Sequence, residues 1–264
     1  MYHTLLISAL AALTHAHPHR RATAATNLCG APNAHQVIDN TPWIVFSMNY
    51  NYQDIDGSCC TDYTGLSTSS SGEQVIDWKS SWDIAQDSNA DLVKGYSFVG
   101  LTENLENTIE GIGSIPANYT WSKSNTTAYK GNVCFDFMTS PTKGDSTSSS
   151  AQELMLWLQY VGGQVPIGYS DGPVATITGL YNKTWKLYQG KNDSTGITVS
   201  SLVVDEDDQY DGSFEGDIKQ WLLKMVDQGL FDNSVYVNVG NAGMEPFYGT
   251  VDFVNTLSLK IVLA

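Results

Sequence analysis

Positive charge is scarce in this chain. Lys and Arg together number 13 against 28 Asp and Glu, and the formal net charge is −15. A surface of this sign repels nucleic acids, anionic membranes and acidic polymers, so neither a nucleic-acid nor a membrane partner is expected and a neutral ligand fits better. Long apolar runs are also missing, and none approaches the ~20 residues that a membrane-spanning helix requires.

Histidine and cysteine are nearly as rare. After residue 21 the chain keeps a single histidine, His35, and its four cysteines show no Cys-x-x-Cys spacing. This composition argues against a metal site, and no cofactor is expected. Cys29, Cys59, Cys60 and Cys134 allow three disulfide connectivities. Because the neighbours Cys59 and Cys60 cannot easily pair with each other, one of them is expected to join Cys29.

The N-terminal segment has the features of a targeting sequence. Residues 1–16 contain a short apolar run and end in Thr14-His15-Ala16, which suits signal-peptide cleavage. Residues 17–21 end in two arginines and resemble a short propeptide. We therefore expect a secreted protein whose mature part, residues 22–264, forms a single catalytic domain and acts as a monomer. Asn-x-Ser/Thr sequons, which mark possible glycosylation in that compartment, begin at Asn118, Asn125, Asn182 and Asn192.

Most of the mature chain reads as short strands separated by Gly, Ser, Asn and Asp turns. Such β-type runs include Trp43 to Tyr50, Gln74 to Ile84, Leu92 to Leu101 and Gly131 to Met138. One segment differs, because apolar residues recur at helical spacing between Asp217, a plausible N-cap, and Gly229. Many strands with one amphipathic helix near 217–229 predict an all-β jelly roll, a sandwich of two packed, mostly antiparallel sheets.

The stretch Gln152 to Val161 carries the first sign of chemistry. At the strand period of two it separates into an apolar face, Leu154, Leu156 and Leu158, and an opposite face, Glu153, Met155, Trp157 and Gln159. A carboxylate in line with a thioether and an indole suits a sugar ring. Hydrolysis of a glycosidic bond needs two carboxyl groups in different environments. Glu245, far downstream, is the candidate for the second one.

A serine-nucleophile motif can be set aside. Gly168 to Gly172 matches the Gly-x-Ser-x-Gly pattern, which requires a helix after the serine and a histidine partner. Here Pro173 and a β-type run follow, and no histidine lies downstream. We interpret the segment as a turn.

Several motifs together resemble glycoside hydrolase family 12, which comprises fungal and bacterial endo-β-1,4-glucanases and xyloglucan-specific endoglucanases. The main ones are Glu153-Leu154-Met155-Leu156-Trp157-Leu158 with Pro166-Ile167, and Gly243-Met244-Glu245-Pro246-Phe247 near the C-terminus. Further matching stretches are Trp78 to Trp82, Val93 to Tyr96, Ser114 to Pro116, Phe135 to Thr139 and Trp185 to Tyr188. The resemblance covers nearly the whole mature chain in the right order.

The resemblance implies a jelly roll with a long open cleft and a retaining mechanism. It makes Glu153 the nucleophile, Glu245 the general acid/base and Asp136 the carboxyl group beside the nucleophile. It also implies substrate-binding roles for four residues: Trp43 as a sugar-stacking tryptophan, Met155 and Trp157 in the cleft floor, and Pro166. The cysteine that aligns with the family's second one is Cys60, which implies a Cys29–Cys60 bridge.

Some positions depart from the family pattern. Met244 stands where a Thr usually precedes the acid/base, Pro32 replaces a common Trp, Thr41 replaces an Asn, and Cys59 is an extra cysteine. These departures bear on subsites more than on the reaction.

Two non-enzymatic classes remain open: a carbohydrate-binding jelly roll, and a secreted protein recognised by another organism. The presence of both glutamates and of Asp136 favours the enzyme, with cellulose, xyloglucan and mixed-linkage glucan as alternative substrates.

Overall fold

The structure, a computed structural model, describes residues 26–30, 32–69 and 72–264. The predicted signal peptide, residues 1–16, and the propeptide-like segment, residues 17–21, lie outside these residues. No helix in the described part of the chain is both long and apolar enough to cross a membrane.

Strands dominate the described chain. They are β1 (Thr26–Cys29), β2 (Ala34–Val37), β3 (Trp43–Met48), β4 (Gly57–Thr68), β5 (Gln74–Ile84), β6 (Tyr96–Leu101), β7 (Asn107–Thr108), β8 (Ile112–Ser114), β9 (Pro116–Asn125), β10 (Lys130–Ser140), β11 (Gln152–Val161), β12 (Ala175–Leu180), β13 (Lys183–Lys191), β14 (Thr198–Val204), β15 (Ser213–Asp217), β16 (Tyr236–Met244), β17 (Pro246–Leu259) and β18 (Val262–Leu263). The helix α1 (Ile218–Asp227) and 3-10 turns at Tyr52–Asp54, Tyr169–Asp171 and Glu206–Asp208 complete the fold.

The strands form two layers. The outer layer has the order β1-β4-β5-β17-β9-β15. The inner layer has the order β2-β3-β6-β16-β10-β11-β14-β13-β12. The layers join where β10 pairs with the start of β17. Strands β11 and β14 run parallel and the other pairings in these orders are antiparallel, which confirms the predicted jelly-roll sandwich.

The main core lies between the two layers. Period-two alternation sends every second side chain of each facing strand inward, so Trp78 and Trp82 from β5 meet Leu154, Leu156 and Leu158 from β11 in one buried cluster. Burial of this apolar surface is the main stabilising contribution, at about 25 cal/mol per Å². Because the leucine face of β11 is used here, its opposite face is turned to the outside of the sandwich.

The helix confirms the sequence prediction closely. The Asp217 carboxylate accepts a hydrogen bond from the backbone N–H of Lys219 at 3.0 Å and so caps the N-terminus. Gly229 has a φ of +75°, the left-handed conformation that ends a helix. The four apolar residues of the predicted face are buried: Ile218, Trp221, Leu222 and Met225.

A disulfide fastens the N-terminal strand to the outer layer. Cys29 on β1 lies opposite Cys60 on β4, and their sulfur atoms are bonded at 2.07 Å. This confirms the Cys29–Cys60 pairing. Cys59 and Cys134 are buried free thiols, which resolves the pairing that the sequence left undecided.

Some elements were not predicted. Strands β4, β9 and β17 were missed because their outward positions carry Ser, Thr, Asn and Asp, so their apolar pattern is diluted. The strand expected from Leu92 starts only at Tyr96. The Gly168 to Gly172 segment is a 3-10 turn followed by β12, which confirms its interpretation as a turn.

Candidate active site

Strand β11 places the first glutamate. Met155 and Trp157 lie in a second apolar cluster. This cluster is on the face of the inner layer that is turned away from the main core, which we call the concave face. Glu153 faces the same side and lines a cavity with both of them. The prediction for Gln159 was wrong, because the register shifts at this point: Cys134 pairs with Trp157 and Val133 with Gln159. This bulge turns Gln159 to the opposite face.

There the Gln159 amide is used inside the protein. Its oxygen accepts a hydrogen bond from Trp121 Nε1 at 3.1 Å, and its nitrogen donates to the backbone carbonyl of Tyr210 at 3.2 Å. Its contacts therefore anchor the core side of the sheet.

Neighbouring strands bring the other two carboxyl groups to the concave face. Asp136 on β10 lies directly between Met155 on β11 and Asn241 on β16. Glu245 follows the last residue of β16 and precedes Pro246, the first residue of β17. The sheet order β16-β10-β11 thus joins Glu245, Asp136 and Glu153, which are far apart in the sequence.

An open cavity of about 690 Å³ is lined by Glu153 and Glu245, while Asp136, whose carboxyl group is buried beside them, does not line it. Its lining includes Glu153, Glu245, Met155, Trp157 and Pro166. The structure therefore places these five predicted residues at one site. A lining that combines carboxyl groups with aromatic and apolar side chains suits carbohydrate ligands, because their rings have apolar faces and hydroxyl edges.

Trp43 is not part of this site, and its predicted stacking role is wrong. Its side chain is 1% exposed and belongs to the core between the two layers. The reason is the alternation of β3, in which Trp43, Val45 and Ser47 are buried. An indole on the inner side of the sheet cannot contact a ligand in the cleft.

The aromatic residue that β3 contributes to the concave face is Phe46. It packs against the second cluster and stacks on His35 and on Phe98, with ring centroids 5.0 Å apart in each case. Phe98 stacks in turn on Tyr96 at 4.8 Å. Trp43 and Phe46 are three residues apart, so strand alternation places them on opposite faces of the sheet. With Trp43 in the core, this alternation assigns Phe46 to the cleft, and sequence reasoning missed it.

Glu245 is held by two amide side chains. Asn132 Nδ2 donates to Glu245 Oε2 at 2.6 Å, while Asn132 Oδ1 accepts the backbone N–H of Glu245 at 3.0 Å. Gln164 Nε2 donates to the same carboxylate oxygen at 3.2 Å. Both amides are buried. Sequence reasoning missed them, although Asn132 alternates with Cys134 and Asp136 on one face of β10.

Burial changes the acidity of all three carboxyl groups. It raises the pKa of Glu153 to about 7. The pKa of Glu245 is also raised to about 7, first by burial and then by the charge of Glu153, against the lowering effect of the Asn132 and Gln164 donors. Burial and the charges of both glutamates raise the pKa of Asp136 well above its usual value. The three groups therefore do not ionise together, and the site retains a proton in mildly acidic medium.

The sequons lie at accessible positions. Asn118 and Asn125 are exposed on β9, and Asn182 is exposed in the turn between β12 and β13. Asn192 is partly exposed and lines the carboxylate cavity. Glycosylation at these four residues stays a prediction.

This arrangement can be compared with known proteins. The sequence profile of Glycosyl hydrolase family 12 matches residues 41–261, which include all three carboxyl groups. The chain belongs to glycosyl hydrolase family 12. Family membership confirms the resemblance carried by the two glutamate motifs.

The names of the relatives within family 12 describe both an active and an inactive protein. The chain is 34% identical over 194 residues to a xyloglucan-specific endo-beta-1,4-glucanase A from Aspergillus aculeatus, covering 74% of each chain. It is 30% identical over 209 residues to an inactive glycoside hydrolase from Phytophthora nicotianae, covering 79% of this chain and 81% of the relative. The family 12 endoglucanase 3 of Trichoderma harzianum shares the fold, with a TM-score of 0.74, 24% identity and coverage of 90% of this chain and 97% of that chain.

Proposed function

We propose that this family 12 protein is a secreted, retaining endo-β-1,4-glucanase, with residues 22–264 as its catalytic domain, and that xyloglucan is its preferred substrate. The observation that carries the proposal is the pair of buried glutamates, Glu153 and Glu245, in one open cavity. The choice of xyloglucan rests on the specificity named for the Aspergillus relative.

The first step divides the two roles between the glutamates. Ionised Glu153 attacks the anomeric carbon, and protonated Glu245 gives its proton to the departing glycosidic oxygen, so that the glycosidic bond breaks as the sugar–Glu153 ester forms. Burial and the charge of Glu153 both favour the protonated form of Glu245 before this step. The Asn132 and Gln164 amides hold Glu245 in position.

The second step reverses the electrostatics. Once Glu153 is an ester its negative charge is gone, and one of the causes that raise the pKa of Glu245 disappears with it. Glu245 then ionises readily and takes a proton from water as the water oxygen attacks the anomeric carbon. Two inversions leave the product in the β configuration. Asp136, beside this pair, stays protonated and supplies a hydrogen-bond donor rather than a second negative charge.

A non-catalytic carbohydrate-binding role is the second candidate, and the inactive Phytophthora relative is the observation that favours it. The deciding experiment measures reducing-sugar release and product size from xyloglucan, cellulose and mixed-linkage glucan in parallel. We expect oligosaccharides of several sizes, released fastest from xyloglucan, and no release by the Glu153→Gln variant. Binding of these polymers without release of reducing ends would support the second candidate instead.

A further inference from the structure

Cys134 is a buried thiol next to the amide that holds the acid/base. It lies on β10, two residues after Asn132 and two before Asp136, and its side chain is fully buried in the second apolar cluster. It does not line the carboxylate cavity. Neither step of the proposed reaction uses it. Any effect of this thiol on the reaction must therefore pass through the side chains that it contacts.

The thiol is within hydrogen-bond distance of two oxygen atoms. Its Sγ lies 3.6 Å from Asn132 Oδ1 and 3.8 Å from the hydroxyl oxygen of Tyr96. The Tyr96 hydroxyl group itself donates to the backbone carbonyl of Cys134 at 3.5 Å. Burial, and after it the charges of Glu245 and Asp136, raise the pKa of Cys134 well above its usual value. The thiol therefore keeps its proton and can act as a hydrogen-bond donor.

The Asn132 amide supports Glu245 in only one of its two orientations. In that orientation Oδ1 accepts the backbone N–H of Glu245 at 3.0 Å, while Nδ2 donates to the carboxylate at 2.6 Å. The reversed amide would place its own N–H groups against the S–H of Cys134 and the backbone N–H of Glu245. The thiol donor beside Oδ1 therefore favours the orientation that donates to the acid/base.

We propose that Cys134 is a positioning residue that holds Glu245 in place through Asn132. This inference rests on the proposed function, because it concerns the group that gives its proton to the departing glycosidic oxygen. It adds to the reaction a side chain that neither lines the cavity nor faces the substrate.

Loss of the thiol should change the acidity of Glu245 in a defined direction. The Asn132 donor lowers the pKa of Glu245, against burial and the charge of Glu153, which raise it. A less well oriented Asn132 lowers this pKa less, so the pKa of Glu245 should rise in Cys134→Ala. The titratable and charged groups around the site that this variant leaves in place are Glu153, Asp136, Tyr50, Tyr96, Lys130 in its ion pair with Asp91, and the exposed rim residues Lys191 and Asp193.

Two variants and a matched control test the contact. Cys134→Ala deletes the thiol, and Cys134→Ser restores a donor at the same place. Cys59→Ala is the control, because Cys59 is also a buried free thiol but lies in the main core and makes no side-chain hydrogen bond within the described part of the chain. On xyloglucan we expect Cys134→Ala to lower kcat/KM by roughly 2- to 5-fold, the low end of a neutral hydrogen bond, and to move its alkaline limb to higher pH. Cys134→Ser should recover most of this loss, and Cys59→Ala should keep the parent's kcat/KM and pH profile.

A double-mutant cycle separates positioning from simple packing. If Cys134 acts through Asn132, Cys134→Ala should lower kcat/KM no further in an Asn132→Ala background. A packing defect would instead reduce kcat/KM by the same factor in both backgrounds, and that result would overturn the inference.

Titration of the carboxyl groups separates this inference from the proposed hydrolysis. NMR spectra of protein with 13C-labelled glutamate side chains report the pKa of Glu245 without substrate, and Glu245→Gln assigns its signal. A higher pKa in Cys134→Ala but not in Cys59→Ala would support the contact even if the parent released no reducing sugar, an outcome that refutes the proposed hydrolysis alone. An unchanged pKa of Glu245 in Cys134→Ala, or an equal rise in Cys59→Ala, would overturn the inference.

Discussion

Asn132 is the residue whose removal should disturb the acid/base most selectively. Its amide makes two hydrogen bonds to Glu245, one to the carboxylate at 2.6 Å and one from the backbone N–H at 3.0 Å. Asn132→Ala removes both while leaving the carboxyl groups themselves in place. The neighbouring Gln164 supplies one longer contact at 3.2 Å and cannot replace the lost pair.

The expected size of the effect follows from the short contact. A hydrogen bond to a charged group contributes about 1.5–3 kcal/mol, and 1.36 kcal/mol corresponds to a tenfold change in rate, so kcat/KM should fall roughly 10- to 150-fold.

The same substitution should also shift the pH dependence of kcat/KM. The Asn132 donor lowers the pKa of Glu245, so its loss raises that pKa. Because Glu245 must be protonated to act as the acid, the alkaline limb of the rate profile should move to higher pH.

The assay is the pH dependence of kcat/KM on xyloglucan for the parent, Asn132→Ala and Gln164→Ala. Gln164→Ala should shift the alkaline limb in the same direction by less, because only one weaker bond is lost. Unfolding curves of all three proteins separate the effect from a general loss of structure. A shift of the limb to lower pH in Asn132→Ala, or a kcat/KM within twofold of the parent, would refute the reasoning.

Three further outcomes are expected. Glu153→Gln should gain stability relative to the parent as pH rises from 4.5 to 8, measured by urea unfolding. The reason is that burial makes the pKa of Glu153 higher in the folded than in the unfolded parent, so the parent loses stability as pH rises above the pKa of the unfolded chain. Cys29→Ser with Cys60→Ser should lower the free energy of unfolding by about 2–4 kcal/mol, since the bridge restricts the unfolded chain. Trp43→Ala should destabilise the fold by about 3–5 kcal/mol, whereas Trp157→Ala should also raise the KM for xyloglucan.

Each of these outcomes has a clear opposite. A constant stability difference between Glu153→Gln and the parent across pH would show that the carboxyl group is not perturbed by burial. An unchanged free energy of unfolding in the double serine variant would show that the bridge does not stabilise the fold. A raised KM in Trp43→Ala without loss of stability would show that Trp43 contacts the substrate rather than stabilising the core.

Period-two and 3.6-residue patterns predicted the parts of the fold where one face is strongly apolar. Strand β11 and helix α1 are such cases, because a single slip would expose a full row of buried side chains. Motif resemblance then paired Glu153 with Glu245, which spacing alone could not do. Long-range pairing depends on sheet order, and only the folded β16-β10-β11 arrangement supplies it.

Other features depend on geometry that no local pattern contains. The bulge beside Trp157 reverses the side to which Gln159 turns. The motif comparison assigned Trp43 to a sugar-stacking position, yet the register of β3 against β6 directs its side chain into the core. Tyr50 lines the cavity from the loop between β3 and β4, where the next residue, Asn51, is hydrogen-bonded to the carbonyls of Lys94 and Val93. Such contacts between irregular segments have no sequence period.

The configuration of the first product tests the central claim most directly. Proton NMR during early hydrolysis of xyloglucan oligosaccharides distinguishes the two anomers before they equilibrate. Direct attack by Glu153, followed by attack of water assisted by Glu245, predicts the β-anomer first, with the α-anomer appearing only by mutarotation. Initial release of the α-anomer would contradict the assignment of Glu153 as nucleophile and of Glu245 as the acid that becomes a base.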